Sequence, residues 1–88
     1  MQNYEKMLED FVRERNEAVI TYDVETFKKF YNKWHKLGVY DIPLPVDAVL
    51  EISMRKMVYS ITSFTEEQRN EAKNWLIERG YEGILNDN

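Results

Sequence analysis

Few groups in this chain can do chemistry. His35 is its one histidine, and there is no cysteine. A zinc site at His35 would have to be completed by carboxylates alone, and general-base work would need a substrate proton or nucleophile within hydrogen-bond reach. The sequence shows neither a triad partner nor a metal-ligand spacing around it. His35 therefore reads as a boundary residue that makes a hydrogen bond beside Trp34. Ser53, Ser60, Thr62, Ser63 and Thr65 lie in no nucleophile-elbow pattern, and caps and helix back-bonds account for them. Glu66, Glu67 and Glu71 are close together, as paired catalytic carboxylates would be, but early acidic residues are also what a helix N-terminus favours. Gly38, Gly80 and Gly83 make no phosphate-cradling loop, and no segment alternates oxygen ligands for calcium. The expectation is a protein that is not an enzyme, with no catalytic residue, no metal site and no cofactor.

The elements that position these side chains read as helices. The least polar long stretch, residues 46–63, repeats Val46, Leu50, Met54, Met57 and Ile61 at three- and four-residue steps. Before it, Tyr4, Met7, Leu8, Phe11, Val12, Ala18, Val19 and Tyr22 form a first stripe, with Arg15 near its centre and a Glu9–Arg13 pair at i,i+4. Asp23 is a good N-cap for a second helix carrying Val24, Phe27, Phe30, Tyr31, Trp34 and Leu37, and Gly38 ends it. Thr65 to Gln68 is a capping box, Ser63 to Glu66 offers a second that would start the helix two residues earlier, and Ala72, Trp75, Leu76 and the stem of Arg79 make a fourth stripe that stops at Gly80. Between the second and third helices, Val39-Tyr40-Asp41-Ile42-Pro43-Leu44-Pro45 is too apolar for a free linker. It reads as a strap packed across helices, with Pro45 in the first turn of the third. The chain is thus expected to be all-α: a compact four-helix single domain over 1–88, with helices at about 3–20, 24–37, 46–62 and 66–79, a Pro-containing apolar strap, and a tail at 81–88 in which Ile84 or Leu85 folds over Ile77.

Function is less legible. At about 100° per residue, Ala48, Ile52 and Tyr59 fall on the side of the third helix opposite its main stripe. A helix apolar on two sides is central in its own domain or is covered by a second molecule. With Tyr40 from the strap, these residues are the expected interface of a protein-interaction module or homodimer. The alternative is weak or accessory DNA binding by a helix-turn-helix-like pair over 46–79, with Gln68, Arg69, Lys73 and Asn74 as contacts. Charge disfavours nucleic acid: 16 acidic residues stand against 12 basic ones, a net charge of -4. No stretch suits a membrane span, and the charged N-terminus lacks a signal-peptide core, so a cytoplasmic location is expected.

The segment Ile61 to Tyr81, ITSFTEEQRNEAKNWLIERGY, resembles the C-terminal end of small uncharacterised helical proteins of Gram-positive bacteria and their phages or mobile elements. Phe11 to Val19, FVRERNEAV, is similar. The resemblance implies a bacterial phage or conjugative-element setting and brings no catalytic or binding residue with it.

Overall fold

The computed structural model describes residues 3–85. The described residues form five helices: α1 (Tyr4–Val19), α2 (Val24–Lys36), α3 (Asp47–Ser60), α4 (Glu66–Glu78) and a short α5 (Glu82–Leu85). The chain is all-α, and the four expected helices lie within two residues of their expected ends. It divides into two compact units, Met1–Pro45 and Val46–Asn88.

In the first unit, Asn3 caps α1 by accepting from the Lys6 amide at 3.2 Å. The turn to α2 is tight. The Thr21 hydroxyl donates to the Ala18 carbonyl at 2.6 Å, and Tyr22 takes a left-handed φ of 55°. Asp23 then caps α2, accepting from the Thr26 amide at 3.0 Å and its hydroxyl at 2.6 Å. These bonds hold the Asp23 carboxyl below its usual range, because they favour the charged form.

Phe27, Phe30 and Trp34 recur at three- and four-residue steps on α2 and are all buried. Phe11 on α1 lies 5.4 Å, centroid to centroid, from the rings of Phe30, Trp34 and Tyr40. The Trp34 contact is edge-to-face at 85°, a favoured geometry for two quadrupoles. A polar tie crosses from α1 to α2. Glu14 accepts from the Trp34 indole at 3.2 Å and from Lys33 at 2.7 and 2.9 Å. The lysine hydrogen bond is the main reason the Glu14 carboxyl sits below its usual range.

The strap begins with a Schellman turn. Gly38 takes φ 74°, the Val39 amide donates to the Trp34 carbonyl at 3.1 Å, and the Gly38 amide donates to the His35 carbonyl at 3.0 Å. Tyr40 then packs into the aromatic cluster, against Phe11, Phe30 and Tyr31. Three expectations need correction here. Leu37 is 56% exposed, because it is the C-cap where the chain leaves the helical stripe. Ile42 of the strap is also exposed. Arg13 pairs with Asp10 at 2.8 Å and approaches Glu14 and Glu17, rather than reaching Glu9.

In the second unit, α3 and α4 pack on one another, and Leu50, Met54, Val58, Ala72 and Leu76 are buried. Val46 is the N-cap of α3 in extended backbone, so its side chain departs from the stripe and is 71% exposed. Pro45 accordingly precedes the cap instead of entering the first turn. The expected capping box is formed: the Gln68 amide donates to Thr65 Oγ1 at 3.1 Å, and the Thr65 amide to Gln68 Oε1 at 3.0 Å. A second Schellman turn closes α4. Gly80 takes φ 82°, the Tyr81 amide donates to the Leu76 carbonyl at 2.8 Å, and the Gly80 amide to the Ile77 carbonyl at 3.1 Å. Trp75 sits under two guanidinium groups, Arg55 at 4.4 Å and Arg79 at 4.1 Å from its centroid, and Tyr81 stacks beside it. Ile84 and Leu85, expected in a tail, lie half-buried in α5, while Ile77 stays partly exposed. The end of the expected tail, residues 86–88, lies outside the described residues.

Candidate functional site

His35 has a structural occupation. Its Nδ1 lies 3.2 Å from the Tyr40 carbonyl, its ring stacks on Tyr31 at 5.3 Å and 13°, and Asp41 is 3.9 Å away. These contacts fasten the start of the strap to the last turn of α2. Among the described residues, no group of three or more His, Asp or Glu side chains is placed to hold a metal ion. Among them too, no helix is long and apolar enough to cross a membrane.

The residues expected to form an interface occupy two different environments. Tyr40 is half-buried within the first unit's aromatic cluster, and burial raises its phenol pKa. It is a wall of that core. Ala48 is exposed on α3, whereas Ile52 and Tyr59 are half-buried. Val49 beside them is exposed, so a short apolar strip of Ala48, Val49 and Ile52 remains on the N-terminal half of α3.

A larger exposed set lies on α1. Tyr4, Leu8 and Val12 are 66%, 37% and 42% exposed. Their i, i+4, i+8 spacing aligns them in one column. Sequence periodicity alone groups them with the buried stripe, because they adjoin Phe11 in angle. Burial divides that stripe by position along the axis: Ala18 and Val19 near its C-terminal end are buried, while the column nearer the N-terminus is open.

The four residues named for nucleic-acid contact are also divided. The Gln68 side chain is engaged in the capping box. Asn74 is exposed on α4. Arg69 and Lys73 line a polar cleft of about 330 Å³ with Tyr59, Glu66 and Asn70. Arg69 Nε donates to the Tyr59 carbonyl near the end of α3 at 3.1 Å, which holds the guanidinium over the α3–α4 junction. Glu66, Glu67, Glu71 and Glu78 are all exposed on the same helix. Glu66 lies on the Arg69–Lys73 face, and a duplex phosphate backbone approaching those two cations would meet its carboxylate, while Glu67, Glu71 and Glu78 point to the other side of α4.

Two features of the molecule were not among the expectations. The spacing Glu66, Arg69, Asn70, Lys73 places these side chains on one face of α4, and a helical wheel carries that signal. The Glu14–Lys33–Trp34 tie has no such signal, since it joins residues 19 and 20 positions apart. No protein-family model, curated protein or solved structure matches this chain.

Proposed function

We propose that this chain is a non-enzymatic protein-interaction module whose partner is a second copy of itself. The observation that carries the reading is the open column Tyr4, Leu8 and Val12 on α1. Scattered exposed apolar residues are ordinary, but three aligned along one helical face form a strip that water covers poorly. A two-fold antiparallel pairing centred on Leu8 sets Tyr4 of one copy opposite Val12 of the other, which is the self-complementarity a symmetric dimer requires. Tyrosine suits such a place because its ring is apolar and its hydroxyl tolerates a wet rim. The strip of Ala48, Val49 and Ile52 on α3 is a secondary contact surface.

The test is the oligomeric state of wild type and Leu8→Gln across a concentration series. Leu8→Gln retains helix propensity, so helical circular dichroism is expected to persist while association weakens. A central contact of this kind contributes about 2 kcal/mol to binding, or roughly 30-fold in affinity. Weak DNA binding through α3 and α4 is the second reading, favoured by the placement of Arg69 and Lys73 around one cleft. Engagement of Gln68 and the Glu66 carboxylate on the same face weigh against it.

A further inference from the structure

We infer that the α4 cleft of Tyr59, Glu66, Arg69, Asn70 and Lys73 binds a carboxylate group carried by a peptide segment. The inference rests on the interaction-module reading and adds a ligand chemistry to it at a different surface. Several cations elsewhere in the chain are occupied: Lys6 and Arg13 meet Asp10, Lys33 meets Glu14, and Lys28 approaches Glu25. Arg69 and Lys73 have no carboxylate within ion-pair distance among the described residues, although α4 carries four glutamates. Both line the same open space, large enough for a carboxylate and the peptide group that bears it.

The geometry prepares Arg69. Its Nε is fixed on the Tyr59 carbonyl, and it is half-buried, so part of the ordering cost of a long side chain is met before any ligand arrives. The terminal nitrogens of its guanidinium form the end of the fork that donates to an oxyanion. Lys73 adds a mobile point charge one turn further along, and Asn70 adds an amide able to donate or accept.

Glu66 sets the charge of the ligand. Two cations against one carboxylate leave a single net positive charge in the cleft. That is neutralised by a monoanionic carboxylate, and Glu66 itself repels a dianion such as phosphate more strongly than a monoanion. The Glu66 carboxylate can in turn accept from the amide N–H beside a peptide carboxylate. A nucleic-acid backbone offers successive phosphates and no such donor.

The experiment follows backbone and Arg Nε resonances of the full nitrogen-15-labelled chain by NMR during titration. N-acetyl-glutamate N-methylamide presents a side-chain carboxylate, and N-acetyl-alanyl-alanine presents a C-terminal one. Saturable shifts confined to Tyr59, Glu66, Arg69, Asn70 and Lys73 with either compound support the inference, and the tighter compound identifies the source of the carboxylate. Lys73→Gln, at an exposed position, is expected to weaken binding about threefold, the scale of an exposed charge pair. Glu66→Gln is expected to strengthen it about threefold by the same reasoning, and to strengthen binding of inorganic phosphate by a larger factor. Absence of shifts with both compounds overturns the inference. So do affinities unchanged in both variants, or inorganic phosphate or a short DNA duplex binding wild type more tightly than the carboxylates. Loss of self-association in Leu8→Gln is read separately on α1, so failure of one result leaves the other standing.

Discussion

The two halves of the chain solve the same problem with different materials. Residues 1–45 use rings: Phe11, Phe30, Trp34 and Tyr40 meet at centroid distances of 5.4–5.7 Å, and a half-buried glutamate ties two elements together. Residues 46–88 use aliphatic and thioether side chains inside, Leu50, Met54, Val58 and Leu76, and keep their tryptophan half-buried under arginines. The terminations are alike. Each unit has a side-chain N-cap hydrogen bond at the start of its second main helix and a glycine Schellman turn at that helix's end. Local signals in the backbone are thus shared, and long-range chemistry distinguishes the halves. Perturbations at helix ends should therefore act alike in both, and perturbations of side-chain networks should not.

The largest effects are expected in the cores. Phe30→Ala should cost about 3–5 kcal/mol in the first unit, and Leu76→Ala about 2–5 kcal/mol in the second. Each unit holds one tryptophan, so denaturation followed by fluorescence in Trp34→Phe and Trp75→Phe backgrounds reports on each separately. Equal, small losses at both sites would contradict the distinction between core and surface residues drawn from burial.

Next come the glycines. Gly38→Ala and Gly80→Ala force a Cβ into a left-handed backbone, at about 1–2 kcal/mol each, although no neighbouring atom obstructs the methyl group. Matching losses in the two units are the outcome expected of shared terminations. A loss at one site alone would refute them.

Caps should follow at about 1 kcal/mol. Asp23→Ala and Thr65→Ala remove corresponding hydrogen bonds, read as shifts of the denaturation midpoint.

The smallest and most asymmetric effect is that of acid. Asp10, Glu14 and Asp23, carboxyls held below their usual range by hydrogen bonds, all belong to the first unit. A depressed carboxyl stabilises the fold fully above its unfolded value, near pH 4, and the contribution disappears as pH falls through the lower folded value. Acid titration should therefore weaken residues 1–45 below about pH 4, and Glu14→Gln should flatten that loss. A Glu14→Gln chain with an unchanged acid limb would show that the lysine contact carries no stability.

Most of the fold was legible because its signals are local. Asn3, Asp23, Thr65, Gly38 and Gly80 announce helix ends within a few residues of the groups they satisfy. The candidate surfaces were less legible because exposure is not periodic. Tyr4, Leu8 and Val12 share angular position with buried neighbours, and only the extent of packing along α1 leaves them open. The sequence assigns Tyr40 to an interface and gives no sign of its ring contacts, because the bend at Gly38 that carries the ring against Phe11 and Phe30 is a feature of the turn and not of any periodicity. Gln68 offers a base-reading side chain in sequence, but its capping role already occupies the amide oxygen.

Self-association through the open column on α1 is the proposal from which the functional reading follows. Sedimentation velocity of wild type, Leu8→Gln and Tyr59→Ala over a wide concentration range tests it without intermediaries. The expected outcome is a wild-type dimer that dissociates on dilution, Leu8→Gln displaced toward monomer with its helical signal intact, and Tyr59→Ala associating as wild type does. A wild type that stays monomeric at every concentration, or a dimer indifferent to Leu8→Gln, would show that the column on α1 is not a self-association surface.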